Sequence, residues 1–268
     1  MKACVAIAGV ALAVIAWGTV HAAQFQQRRW AEYEPEMQDP VEDPPDAYEQ
    51  TEFAFARLRY RSYGRGFFRG GNWGTDSNKA ERQFVQGLRR LTRVHVRSVE
   101  EIIDVDDDEI FNWPWLYAVE VGHWNLSDSQ AQRLRDYLDR GGFLMVDDFH
   151  GSFEWNVFMA SLRKVFPDRP VVDIPNEDAI FHVLYDLQER FQVPGLQYVY
   201  TGRTYERDGV AARWQAVYDD KGRILVAICH NMDLGDAWEW ADSPQFPEKY
   251  ASLAYKIGIN YVIYALTR

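Results

Sequence analysis

A short apolar stretch that ends in two carboxylates constrains the fold of this chain more than any other feature. Residues 141–151 read Gly-Gly-Phe-Leu-Met-Val-Asp-Asp-Phe-His-Gly. Consecutive apolar residues at 143–146, without polar alternation, predict a strand that is buried on both faces, as in the centre of a parallel sheet. Ligands of open α/β sheets bind beyond the carboxyl ends of such strands. The sequence therefore places a candidate site at residues 147–150.

Strand-like and helix-like segments alternate along residues 51–268. Strands are predicted at 53–60, 94–99, 116–121, 143–146, 217–218 and 224–229, and helices begin near residues 75, 127, 155 and 247. Ser127 and Gln130 form a capping-box pattern at the start of one helix, and Gly141-Gly142 ends it. Because strands alternate with helices, we expect one α/β domain with a mostly parallel sheet covered on both faces.

The first 23 residues have the pattern of a secretory signal. Lys2 supplies the positive start, residues 4–17 form an apolar run, and Val20-His21-Ala22 suits cleavage. The run is too short and too weakly flanked for a typical membrane span, although an uncleaved anchor is the alternative. We expect a periplasmic or secreted protein without a transmembrane span after cleavage.

Residues 24–50 differ in composition from the rest of the chain. Their prolines and acids are Pro35, Pro40, Pro44 and Pro45, with Glu32, Glu34, Glu36, Asp39, Glu42, Asp43, Asp46 and Glu49. A segment this poor in apolar residues does not build a core, so an extended linker or a surface arm is predicted. A specific acidic docking tail is the alternative.

Charge and cysteine content narrow the classes of partner and chemistry. The formal net charge is -11, whereas nucleic-acid binding needs a basic face, so we expect no nucleic-acid partner. Signal cleavage would leave Cys229 as the one cysteine, and no internal disulfide is expected. Since Cys229 lies within an apolar strand, an inert thiol is favoured over a nucleophile.

Several longer motifs resemble one bacterial family, called domain of unknown function 4159. They lie at 55–60, 71–76, 141–151, 231–239 and 260–264, and the resemblance extends over residues 53–268. That family is similar in fold to class I glutamine amidotransferases, so the resemblance implies a flavodoxin-like three-layer sandwich. In the amidotransferases a nucleophilic cysteine follows a central strand. The matching turn here, 148–150, has no cysteine, and amidotransferase activity is not expected.

Asp147, Asp148 and His150 are the first candidate site residues. Adjacent strand residues point to opposite faces, so one aspartate should face the site while the other caps a helix, orients a histidine or pairs with an arginine. A carboxylate beside an imidazole binds metal or moves a proton, and we expect that role for Asp148 and His150. A capped strand-to-helix turn is the structural alternative.

Two neighbouring strand ends add candidates. His123 follows Gly122 after the strand predicted at 116–121, and we expect it to meet His150 as a third catalytic or metal-binding group. Asn231 and Asp233 follow the strand at 224–229 as ligand-binding candidates, with a self-bonded Asx-type turn as the alternative. Such a set would suit zinc or manganese, but no short metal motif is present, so a divalent metal is possible and the cofactor is unassigned.

A local run of arginines occupies residues 57–69 of this acidic chain. Its members are Arg57, Arg59, Arg61, Arg65 and Arg69. Arginine binds ligand carboxylates or phosphates bidentately, and Arg61 with Trp73 is the ligand-binding candidate here. Pairing with the protein's own acids is the favoured alternative. Residues 70–74 lack the spacing of a dinucleotide or Walker loop, so no nucleotide is expected.

Two functional hypotheses follow. In the first, the chain is a non-catalytic binding or interaction module of the cell envelope, and its partner is an envelope protein or a glycan. In the second it is a hydrolase, metal-assisted or acid/base, with Asp148 as base or ligand, the histidines as ligands or proton carriers, and Asp233 as an orienting group. Both require residues near 123, 148 and 231 to meet at one edge of the sheet.

Overall fold

One seven-stranded sheet forms the centre of the molecule. The computed structural model describes residues 45–47, 49–62 and 72–268. The strands are β1 (Ala56–Arg59), β2 (Glu101–Asp104), β3 (Trp115–Val119), β4 (Phe143–Asp147), β5 (Val172–Asp173), β6 (Arg213–Tyr218) and β7 (Ile224–His230). Their order is β2-β1-β3-β4-β7-β6-β5. β6 pairs antiparallel with both β7 and β5, and the other neighbouring strands pair in parallel. The expected α/β class with a mostly parallel sheet is confirmed.

Helices cover both faces of the sheet. They are α1 (Lys79–Leu91), α2 (Asp128–Asp139), α3 (Gly151–Val165), α4 (Gln197–Thr201), α5 (Leu234–Glu239) and α6 (Glu248–Thr267). One core lies between the sheet and helices α1, α5 and α6 and includes Tyr117 of β3. The other lies between the sheet and helices α2 and α3 and includes Leu116. Adjacent residues of β3 thus enter different cores, as the alternation of side chains along a strand requires.

Strand β4 has the burial that its sequence predicts. Phe143 and Met145 enter the core under α1, α5 and α6, and Leu144 and Val146 enter the core under α2 and α3. β4 pairs in parallel with β3 on one side and with β7 on the other. Its carboxyl end therefore lies between two other strand ends, which positions the residues that follow it.

The observed element boundaries differ from the expected ones in several places, and two of them bear on the core and on the site. Residues 94–99 form no strand, because Val96 makes only an isolated bridge to Phe53 and β2 begins at Glu101. Val96 and Val99 are buried, so their apolar character reflects packing rather than sheet pairing. Helix α3 begins at Gly151, four residues earlier than expected.

The N-terminal expectations fall largely outside the described residues. The proposed signal at 1–23 is among them, and so is most of the acidic segment at 24–50. Of that segment, Asp46 accepts hydrogen bonds from Arg89 Nη2 and Ser98 Oγ, each at 2.6 Å. Within the described ranges, no helix combines the length and apolar character that crossing a bilayer demands.

Candidate functional site

Several polar residues at the strand ends have left-handed backbone conformations. Glu120 follows β3 with φ of 53°, Asp148 follows β4 with φ of 49°, and Asn231 follows β7 with φ of 63°. Asp76, which precedes α1, has φ of 62°. Non-glycine residues rarely adopt this conformation, and they gather at functional sites when they do. The backbone therefore points to the same edge of the sheet as the sequence pattern.

Asp148 lies at the centre of this edge and is 7% exposed. Its backbone N–H donates to Met232 O at 3.1 Å, which ties the turn after β4 to the turn after β7. Its Oδ1 lies 3.1 Å from His150 Nε2. Burial, followed by the charges of Glu120 and Asp76, raises the pKa of Asp148 well above its usual range. The site is thus a nearly closed, acidic place rather than an open crevice.

The Asp147 side chain binds the first two amides of α5. Its Oδ2 accepts hydrogen bonds from Leu234 N at 2.8 Å, Gly235 N at 3.1 Å and Tyr117 Oη at 3.1 Å. Burial raises the pKa of Asp147 to about 7. The structure therefore gives Asp147, a ligand-binding candidate, the helix-capping role that the sequence offers as the alternative.

Asp233 and Asp236 bring further carboxylates to Asp148. Asp233 is the N-cap of α5, and its Oδ1 accepts from Asp236 N at 2.8 Å. Burial, followed by the charges of Asp148 and Asp236, raises the pKa of Asp233 well above its usual range. Carboxylate oxygens of Asp76, Asp233 and Asp236 all lie within 4.8 Å of one another. We call these three residues with Asp148 the acidic cluster.

His150 and Asn231 lie beside the acidic cluster, at the start of α3. Burial lowers the pKa of His150, so its imidazole is neutral at pH 7. Asn231 Oδ1 accepts from Gly151 N at 2.8 Å, while its Nδ2 donates to Ala211 O at 2.8 Å. The Asn231 side chain therefore fixes the start of α3 and a neighbouring loop. It is already engaged within the protein.

His123 does not contact His150, although the two were expected to meet. Its Nε2 lies 3.2 Å from carboxylate oxygens of both Glu120 and Glu154. Hydrogen bonds to Glu120 and then to Glu154 raise the pKa of His123 to about 9. Arg207 Nη2 also lies 2.6 Å from Glu154. Glu120, His123 and Glu154 could together hold a metal ion. However, the positive charges of protonated His123 and of Arg207 already balance the two glutamates.

Among the described residues, Arg61 and Trp73 contact groups that lie outside the acidic cluster. Arg61 is exposed, and its carbonyl accepts from Asn125 N at 2.7 Å. Trp73 is buried, and the Arg59 guanidinium lies 5.7 Å from its ring centre. Arg59 also pairs with Asp104, so the internal pairing expected for the arginine run holds there. Arg65 and Arg69 fall outside the described residues.

The first amides of α3 already have hydrogen-bond partners. The amides of His150, Gly151 and Ser152, at the start of α3, donate to Glu154, Asn231 and Asp208. These three N–H groups are therefore not available to an oxyanion. Burial raises the pKa of Cys229 well above its usual range. Its thiol is therefore an apolar packing group.

A family model for a domain of unknown function, DUF4159, matches residues 54–266. The chain belongs to the DUF4159 family. The matched range contains the complete acidic cluster and every described strand. No curated protein matches the chain. The family resemblance drawn from the sequence is confirmed.

Sequence reasoning missed several residues of this DUF4159 domain that define the site. They are Asp76, Glu120, Glu154, Arg207 and Asp236. Glu120 carried a usable signal, since it directly follows the apolar run of β3. Glu154 was missed because the expected helix began one residue after it. Asp76 and Asp236 lie within the motifs at 71–76 and 231–239, but only the folded chain shows that Asp76 lies beside Asp233.

Proposed function

We propose that this DUF4159 domain is a binding module of the cell envelope whose acidic cluster takes a divalent cation. The observation that carries the proposal is the grouping of Asp76, Asp233 and Asp236, with carboxylate oxygens within 4.8 Å of one another. Oxygen-only sets of this kind suit hard cations such as Ca²⁺, Mg²⁺ or Mn²⁺. The cation would either be the bound ligand itself or bridge the acidic cluster to a group on the partner.

Burial of the carboxylates supports a cationic occupant. Asp148 and Asp233 are 7% and 4% exposed. The largest influences on both pKa values are burial and neighbouring carboxylates, and all of these disfavour the charged form. Buried carboxylates are normally paired with cations or coordinate metal ions. A bound divalent cation would remove the mutual repulsion.

Two glycines make room for these carboxylates. A Cβ on Gly235 would lie 2.3 Å from Asp76 Oδ2, and a Cβ on Gly195 would lie 2.4 Å from Asp233 Oδ2 and 2.6 Å from Asp236 Oδ2. Any side chain at either position would therefore push into the oxygen set. The backbone approaches the cluster as closely as it does because both residues are glycine.

The proposed scaffold is of the flavodoxin and amidotransferase type. The five parallel strands β2-β1-β3-β4-β7 follow the order 2-1-3-4-5 that flavodoxin-like sheets use, and this order supports the proposal. Ligands of such sheets bind at the strand ends where the order reverses. Export rests on the signal pattern at residues 1–23, and cell fractionation of the full-length protein tests it.

The test is calorimetric titration of metal-stripped protein with CaCl₂, MgCl₂ and MnCl₂. We expect one equivalent of at least one ion to bind, and saturation at 100 times its Kd to stabilise the fold by about 2.7 kcal/mol. Asp233→Asn should weaken binding by roughly tenfold or more, since affinity follows the charge of the ligand set. Asparagine also caps helices well, so α5 should keep its start.

Asp173→Asn is the matched control, because it removes one exposed carboxylate on edge strand β5. It should leave cation binding unchanged. The proposal is wrong if none of the three ions binds. It is also wrong if Asp173→Asn weakens binding as much as Asp233→Asn does.

An acid/base hydrolase is the second candidate, and the contact between Asp148 and His150 favours it. An imidazole beside a carboxyl group can relay a proton. Against it stand the engaged amides at the start of α3. Turnover of an envelope ester, peptide or glycan that is lost in both Asp148→Asn and His150→Gln would favour this candidate over a binding module.

A further inference from the structure

A surface groove of about 510 Å³ lies apart from the acidic cluster, at the carboxyl end of α1. Its lining includes Leu91, Leu184 and Ile263 on the apolar side, with Arg90, Arg93 and Glu52 around them. Leu91 is 53% exposed and Leu184 is 48% exposed. A groove with exposed leucines beside two arginines suits an extended segment that carries both apolar and acidic side chains.

Both groove arginines are available for such a segment. Within the described residues, neither Arg90 nor Arg93 forms an ion pair, whereas their neighbour Arg89 pairs with Asp46 at 2.6 Å. Exposed apolar surface and unpaired positive charge thus occur at the same place.

The described end of the acidic segment already contacts this part of the domain. Asp46 accepts hydrogen bonds from Arg89 and Ser98. Glu49 Oε1 lies 3.4 Å from His95 Nε2. Glu52, which lines the groove, accepts a hydrogen bond from His95 N at 2.7 Å. Asp46, Glu49 and Glu52 therefore lie on the side of the domain where the groove lies.

We propose that the groove binds residues 24–44 of this same chain. That segment combines apolar side chains, Trp30, Tyr33, Met37 and Val41, with interspersed glutamates and aspartates. The apolar residues match Leu91 and Leu184, and the acids match Arg90 and Arg93. Twenty-one residues reach up to about 70 Å when extended, so length does not limit the contact. Covalent attachment raises the effective concentration of the segment to roughly millimolar.

Site-specific photo-crosslinking of the full chain tests the proposal. Leu184 is replaced by p-benzoylphenylalanine, and adducts formed on irradiation are mapped by mass spectrometry. Val210, which is 66% exposed and does not line the groove, receives the same replacement as a control. We expect an intramolecular adduct between position 184 and residues 24–44, and no such adduct from position 210.

A charge-reversal series separates specific docking from chance proximity. Arg90→Glu with Arg93→Glu should lower the yield of the adduct by roughly fivefold, because repulsion replaces attraction. Glu34→Lys, Glu36→Lys and Asp39→Lys in the same chain should restore it. Adducts that join two copies, that map outside 24–44, or that ignore both charge reversals would overturn the proposal, and so would the absence of adducts. Equal unfolding midpoints of the variants would show that the domain stays folded.

Discussion

The buried charged groups of the described residues include both an ion pair and a group of neighbouring carboxylates. Arg57 and Glu81 form an ion pair in which both side chains are fully buried, and Arg57 Nη1 also donates to the carbonyls of Trp73 and Thr75. The acidic cluster differs, since burial and neighbouring carboxylates dominate the pKa values of Asp148 and Asp233. We propose that the second arrangement serves cation binding.

Removal of one partner of the buried pair should destabilise the domain strongly. Glu81→Leu leaves the Arg57 guanidinium buried without its carboxylate, and we expect the free energy of unfolding in urea to fall by about 3–5 kcal/mol. Asp108→Ala is the control, because Asp108 is 90% exposed where it pairs with Arg133. Its loss should leave the free energy of unfolding nearly unchanged, because both side chains are solvated. Similar losses for the two variants would contradict the buried-pair interpretation.

His123 should make stability fall as the pH rises above neutrality. Its pKa is about 9 in the folded protein and 6.5 without its partners. The stabilising charge is therefore fully present below pH 6.5 and is lost as the pH passes 9. We expect the free energy of unfolding to decline between these values, and His123→Gln to flatten the decline. A profile that is unchanged by His123→Gln would show that the ion pairs with Glu120 and Glu154 contribute nothing.

At the scale of elements, sequence patterns succeeded where local chemistry decides the structure. The apolar run of β4 and the capping residues of α2 are short-range signals, and both elements formed as expected. The pattern failed at residues 94–99, where buried valines pack without pairing. Whether an apolar segment joins a sheet depends on its neighbours in space, which a single sequence does not specify.

The capping box of α2 allows a direct measurement at this scale. Ser127 Oγ accepts from Gln130 N at 3.2 Å, and Gln130 Oε1 accepts from Ser127 N at 3.0 Å. Ser127→Ala removes the acceptor and should lower the free energy of unfolding by about 1 kcal/mol. Ser127→Asp keeps an acceptor at the same place and should retain most of the stability. Equal losses of unfolding free energy in both variants would mean that the side-chain acceptor at residue 127 does not stabilise α2.

At the scale of the whole molecule, the sheet brings distant residues to one edge. The sequence predicted that Asp148, His150 and Asp233 lie at one edge of the sheet, because each follows an apolar strand, and parallel strands end together. It did not locate Asp76 or Glu154, since their positions depend on how α1 and α3 pack. It also gave His123 the wrong neighbour, because a glutamate from α3 lies between the two histidines.

The most direct test of the central claim is anomalous diffraction from crystals of the protein soaked in MnCl₂. Manganese scatters anomalously, so the bound ion can be distinguished from water and from lighter ions. We expect one strong peak among the carboxylates of Asp76, Asp233 and Asp236, and no such peak in crystals of Asp233→Asn. Manganese bound only elsewhere, or an acidic cluster without a peak at saturating manganese, would contradict the account.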